Sequence, residues 1–169
     1  MNVFDLVMQM ELDSKEHYEK LGEAAPVAGL KKVFSMLAAS ELKHYHAVKS
    51  IKINKPVEMA DIPDHTTDLE HSKTSLSSLQ VDDELLARIK TTLDALRHAM
   101  KVEEDSIRLY EDIIKTQQHH ISNIEVVPIL LKIIAEEKKH FDVVQNIHEI
   151  IEKFENGKVL HKFGKHREI

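Results

Sequence analysis

Residues 135–141 read AEEKKHF, inside a segment whose other inward positions are Leu130, Ile133, Val144, Ile147, Ile151 and Phe154. Those apolar residues recur at alternating steps of three and four, which keeps side chains on one face of a bundled helix. Glu137 and His140 fall on that same face. The spacing predicts a helix over about 126–154, ending before Gly157, with a polar interruption in the middle of its buried stripe.

Three more segments show the same periodicity. A first helix is expected over about 3–24, with Phe4, Val7, Glu11, Ser14, Tyr18 and Leu21 inward. A second, over about 27–53, starts near Pro26 as a first-turn residue and turns Leu30, Phe34, Leu37, Glu41, His44, Val48 and Ile51 inward. A third, over about 83–118, has Asp82 or Asp83 as N-cap and a stripe of Leu86, Ile89, Leu93, Leu96, Met100, Glu103, Ile107, Tyr110 and Ile114. Residues 54–82 carry two prolines, many turn formers and no sustained stripe, so they read as a connection too long for a tight hairpin. The second helix is about 40 Å long at 1.5 Å per residue, and an extended linker can run back along it. Helices 2 and 3 are then parallel, as in a four-helix bundle with one long crossover. The tail, 155–169, with His161 and His166, has no interpretable pattern.

Composition agrees with an all-α chain. Only four glycines, four prolines and 5% aromatics suit long helices better than many short strands. At 169 residues with 42% hydrophobic content, one domain with a substantial core is expected over 1–169. The formal charge of −6 is spread as alternating acid and base, which argues against a nucleic-acid partner. No apolar run approaches a membrane span and the N-terminus lacks a signal-peptide pattern, so a soluble, cytoplasmic protein is expected. The absence of cysteine excludes disulfides, thiolate zinc sites and cysteine nucleophiles, so any metal must be held by oxygen and nitrogen.

The two halves repeat. MELDSKEHYEKL (10–21) set over VEEDSIRLYEDI (102–113) matches Glu11 with Glu103, Asp13 with Asp105, Ser14 with Ser106 and Tyr18 with Tyr110. AASELKHYHAVKSI (38–51) set over IAEEKKHFDVVQNI (134–147) matches Glu41 with Glu137 and His44 with His140. Chance similarity between amphipathic helices would favour the apolar positions, whereas here the inward polar ones repeat.

One inward glutamate is ordinarily a stripe-edge residue reaching water. Six inward polar residues, Glu11, Glu41, His44, Glu103, Glu137 and His140, need another account. Several kcal/mol of desolvation for each of four carboxylates would rival a domain's whole stability of about 5–15 kcal/mol. Four neutral acids would offer more acceptors than donors, and no lysine or arginine occupies these stripes. Two divalent cations balance four carboxylates, and each Glu-x-x-His pair falls on one helical face and can grip one ion. The oxygen–nitrogen donor set suits iron or manganese, and zinc would fit the same site. Iron is favoured because carboxylates that bridge or shift accommodate a change of charge on oxidation.

At these residues the chain resembles the rubrerythrin family of the ferritin-like superfamily, over roughly residues 3–154. The pattern is Glu11 with Tyr18 seven residues on, Glu41-Leu42-Lys43-His44, Glu103 with Tyr110 seven residues on, and Glu137-Lys138-Lys139-His140. The resemblance implies a ferritin-like antiparallel bundle and a di-iron centre held by Glu11, Glu41, His44, Glu103, Glu137 and His140, with Glu41 and Glu137 bridging. It further implies that Tyr18 and Tyr110 hydrogen-bond ligand glutamates and orient them. Rubrerythrins proper carry a cysteine-rich rubredoxin domain and an additional glutamate on the third helix. This sequence has no cysteine, and Met100 and Ser106 stand one turn either side of Glu103, so the implied site has six ligands, closer to bacterioferritin. The implied activity is reduction of hydrogen peroxide or dioxygen with electrons from an external donor protein, in defence against oxidative stress, with a homodimer as the expected assembly. A ferroxidase and a non-catalytic bundle stabilised by metal are the alternatives. His17, His46, His98 and His148 lie off the stripes and are expected to be solvated, and Gln117, Gln118, His119 and His120 to form a turn.

Overall fold

A computed structural model of the chain describes residues 2–57, 83–117 and 126–164, with side chains for 2–57, 87, 91–116 and 126–153. Four helices result: α1 (Val3–Ala24), α2 (Ala28–Lys52), α3 (Asp83–Gln117) and α4 (Val126–Gly164). There is no strand among the described residues.

Local signals explain the helix ends. The Asn2 side chain accepts the Phe4 backbone N–H at 3.2 Å, capping α1. Pro26 lies in the short turn ahead of α2 rather than in its first turn, and Val27 takes the N-cap position without a side-chain bond. α2 stops at a Schellman motif: Asn54 adopts a φ of 53°, its N–H bonds the Ile51 carbonyl at 3.0 Å, and the Lys55 N–H bonds that of Ser50 at 2.8 Å. Asparagine tolerates this left-handed conformation better than most residues. α4 departs from the expected boundary, continuing through Gly157 to Gly164. An isolated glycine costs a helix only about 1 kcal/mol, which a helix already running for several turns absorbs. The crossover beyond residue 57, the Asp82 cap and residues 118–125 and 165–169 lie outside the described residues.

Pairwise contacts establish the bundle. α1 runs antiparallel to α2, since Asp5 pairs with Lys52 at one end and Tyr18 stacks on Phe34 at the other, with ring centroids 6.4 Å apart. Tyr18 meets Glu103 while Tyr110 meets Glu11, so α1 and α3 are antiparallel. His44 faces Glu137 and His140 faces Glu41, so α2 and α4 are antiparallel as well. α2 and α3 are therefore parallel, as a bundle with one long crossover requires. α1 packs chiefly on α2, and α3 on α4.

The core is divided. One apolar cluster, including Leu30, Phe34, Leu37, Leu96, Val144 and Ile147, fills the end nearest the α1–α2 turn. Another, including Val7, Val48, Ile113, Leu130 and Ile133, fills the opposite end. Between them lies a layer of buried polar side chains.

Candidate metal centre

That layer consists of the six inward polar residues of the repeat. Glu11 comes from α1, Glu41 and His44 from α2, Glu103 from α3, Glu137 and His140 from α4; all are at most 2% exposed. Helical spacing places each histidine one turn beyond its glutamate, so both side chains of a pair reach the same point.

The donor atoms converge in two overlapping groups. Glu11, Glu41, His44 and Glu137 each offer one atom within 4.8 Å of the others, and so do Glu41, Glu103, Glu137 and His140. Glu41 and Glu137 belong to both. Nitrogen and oxygen ligands about 2.0–2.2 Å from one ion lie at most about 4.4 Å apart, so each group has roughly the right size.

Hydrogen bonding within the cluster does not satisfy it. His44 Nδ1 lies 3.2 Å from Glu137 Oε1, 3.7 Å from Glu11 Oε2 and 3.8 Å from Glu41 Oε2, yet its direction gives it no hydrogen-bond partner. His140 Nδ1 is 2.8 Å from Glu41 Oε1 and 3.1 Å from Glu137 Oε2, and only the second contact has hydrogen-bond geometry. Glu11 Oε2 and Glu41 Oε1 are likewise buried without a partner. A single ring nitrogen cannot serve three carboxylates as a donor. Acceptors aimed at a shared point and left unbonded would be costly in an apolar core, and cations at that point satisfy them. The residues present therefore fit a metal site.

Charge in the layer follows burial and proximity. Burial, then the Glu137 charge, push Glu11 and Glu103 well above the usual carboxylate range. Burial and the Glu137 charge also push Glu41 upward, but His140 and His44 outweigh them and hold it below that range. Burial is likewise overcome at Glu137, which His44 and His140 hold far down. His44 and His140 move oppositely: burial disfavours their charge, but the surrounding carboxylates raise both well above ordinary histidine.

The neighbouring hydroxyls complete the layer across the repeat. Tyr110 donates to Glu11 Oε1 at 2.5 Å and Tyr18 donates to Glu103 Oε1, so each half's tyrosine holds the other half's glutamate. Both tyrosines are buried, and burial together with the facing carboxylate pushes their ionisation well upward, leaving each hydroxyl a donor.

The profile of the Rubrerythrin family matches residues 2–148, which span all six converging residues and both tyrosines. The chain belongs to the rubrerythrin family. Comparison with curated proteins and with solved structures found no match. Membership agrees with the all-helical, ferritin-like bundle, and a buried Glu/His cluster of this make-up is consistent with a metal site in such a protein. No helix among the described residues is long and apolar enough to cross a membrane.

Rubrerythrin-type features account for the stripes, but other residues were harder to foresee. Met100 is only partly buried against the core, and Ser106 donates to Glu137 Oε1 at 3.2 Å, an orienting contact whose sole sequence signal was the Ser14/Ser106 repeat. Glu136 is 3% exposed beside the polar layer and pairs with Lys139 at 2.9 Å, although it lies off the expected stripe. His46 and His98 are exposed as expected. His17 is not solvated: it is half-buried, its Nε2 is 3.2 Å from the Ala95 carbonyl, and burial lowers its basicity. His148 is also partly enclosed, with a buried Nε2. Neither environment follows from its own helix, because the walls come from packing against others.

Proposed function

We propose that the protein is a di-iron oxidoreductase that reduces hydrogen peroxide to water with electrons from an external donor protein. The observation that carries this reading is the sharing of Glu41 and Glu137 between two four-residue groups, each of which could hold one ion. Glu11 with His44 would hold one ion and Glu103 with His140 the other. So held, a pair of ferrous ions would supply the two electrons that, with two protons, turn one peroxide into two molecules of water.

The chain's own part is orientation and exclusion of water. Tyr110 and Tyr18 fix the terminal carboxylates Glu11 and Glu103, and Ser106 steadies Glu137. The apolar clusters on either side keep the layer dry, which strengthens the electrostatic contacts inside it. The sequence contains no cysteine, so no thiolate-held iron within it relays electrons and the reductant lies outside these 169 residues.

Anaerobically reduced, iron-loaded protein should lose its ferrous iron within seconds of adding one equivalent of peroxide per centre. A ferrous signal that persists under those conditions would contradict the proposal. Native size separates peroxide reduction from iron storage: a homodimer is expected, and a hollow shell of many subunits would favour storage.

A further inference from the structure

α1 leans on α2, and α3 on α4, which leaves the seam between α1 and α3 less closely packed. Along it runs a groove of about 340 Å³ lined solely by residues of those two helices. Ser14 is its deepest residue, 5% exposed, and it lies on the Glu11/Tyr18 stripe, three residues beyond Glu11 and four before Tyr18. Its repeat partner Ser106 is committed to Glu137, but Ser14 forms no counterpart bond to Glu41 and lines the groove instead. The groove thus begins at the surface and ends one helical turn from a ligand glutamate and from the tyrosine that holds another.

Its chemistry selects what could travel there. Met10, Val102 and the 43%-exposed Leu6 give apolar walls, with the Ser14 hydroxyl as the buried polar group. Asp13 accepts a bond from Gln9 at 2.8 Å, and Asp105 is paired with Lys101 at 2.5 Å and approached by Arg108 at 3.7 Å. The charge of Asp105 is offset by these cations, whereas Asp13, with a neutral amide partner, keeps its negative charge at the exposed rim. Towards one end His17 and His98 meet edge to face, ring centroids 5.0 Å apart, with His17 anchored on the Ala95 carbonyl. The two apolar clusters cap the polar layer at its ends, and the α1–α2 and α3–α4 seams are closely packed. The α2–α4 seam is looser still, so what marks the α1–α3 side is the groove and the buried Ser14 at its floor rather than loose packing alone.

We propose that the α1–α3 groove is the access route by which a small, neutral, hydrogen-bonding oxidant, hydrogen peroxide, reaches the centre past Ser14, with the His17–His98 pair flanking its outer part. This rests on the redox reading above. Two substitutions narrow the route at different depths: Ser14→Leu at its inner end and His98→Trp at the exposed rim, where folding is not at risk.

Both variants should retain wild-type iron content while the second-order rate constant for ferrous oxidation by peroxide falls about tenfold or more, about 1.4 kcal/mol of barrier. The rate at which nitric oxide changes the visible spectrum of the ferrous protein, which involves no turnover, should fall in parallel. If both variants react with peroxide and nitric oxide at wild-type rates, the route is wrong while the redox reading survives. If the wild type ignores peroxide but the variants still slow nitric oxide, the route stands and the redox reading fails. Iron loading slowed by the same factor would make the groove a cation path and overturn the assignment to a neutral oxidant.

Discussion

Glu11, Glu41, Glu103 and Glu137 are one residue type in one layer, yet their neighbours divide them. Glu11 and Glu103 are pushed towards the protonated form by burial and by the Glu137 charge, whereas Glu41 and Glu137 are kept ionised by the two histidines. Without metal, the same neighbours favour neutralisation by protons, pushing the two histidines towards imidazolium and Glu11 and Glu103 towards the neutral acid. Metal ions replace those protons, because ligand atoms must be deprotonated to bind. The pH dependences of the two states are therefore opposed. His44 and His140 are raised above 6.5 in the folded chain, so their contribution to metal-free stability is complete below that pH and is lost as pH rises through the folded values. Raised Glu11 and Glu103 act in the same direction, while lowered Glu137 and Glu41 withdraw their contribution only on acidification below about 4.5. The melting temperature of metal-free protein should fall as pH rises above about 6.5, while the gain on adding ferrous iron under anaerobic conditions should grow in the same direction. A metal-free melting temperature that climbs with pH would contradict this picture of the layer.

Among the elements, α1 shows how much of the structure its sequence declares. Its bounds, Val3–Ala24, and its inward residues Val7, Glu11, Ser14, Tyr18 and Leu21 follow from a three-and-four periodicity that one helix determines alone. The convergence of Glu11 with Glu41, Glu103 and Glu137 was legible too, because the repeat puts polar residues on faces that must all turn to one axis. What stayed hidden depends on how one helix is rotated and spaced against another. His17 bonding to Ala95, Glu136 buried beside the layer and the looseness of the α1–α3 seam have no signature within a single stripe. The end of α4 at Gly164 was hidden for another reason: glycine permits a helix stop without imposing one. Gly22 offers a test of α1 packing. A Cβ there would lie 3.6 Å from Phe34 Cβ and 3.8 Å from the Lys31 carbonyl, ordinary contact distances. Gly22→Ala should thus gain about 0.5–1 kcal/mol in denaturant unfolding, from reduced freedom of the unfolded chain and better helix propensity. A loss of stability would mean that α1 and α2 approach more closely than the structure indicates.

The whole molecule is two apolar clusters holding a polar layer between them, and that layer is its least self-sufficient part. Glu11 Oε2, Glu41 Oε1 and His44 Nδ1 are buried with no partner. On the di-iron reading proposed above, cations at their meeting point satisfy these atoms, which links metal binding to folding, since ligands that bind only the folded state stabilise it by mass action. On the same reading the sharing of Glu41 and Glu137 by two four-residue groups sets the expected number at two, because one ion would fill only one of the groups. The most direct test is an anaerobic titration of the metal-free protein with ferrous iron, followed by elemental analysis after removal of unbound metal. Saturation at two ions per chain is predicted; saturation at one, or no retained iron, would contradict the account.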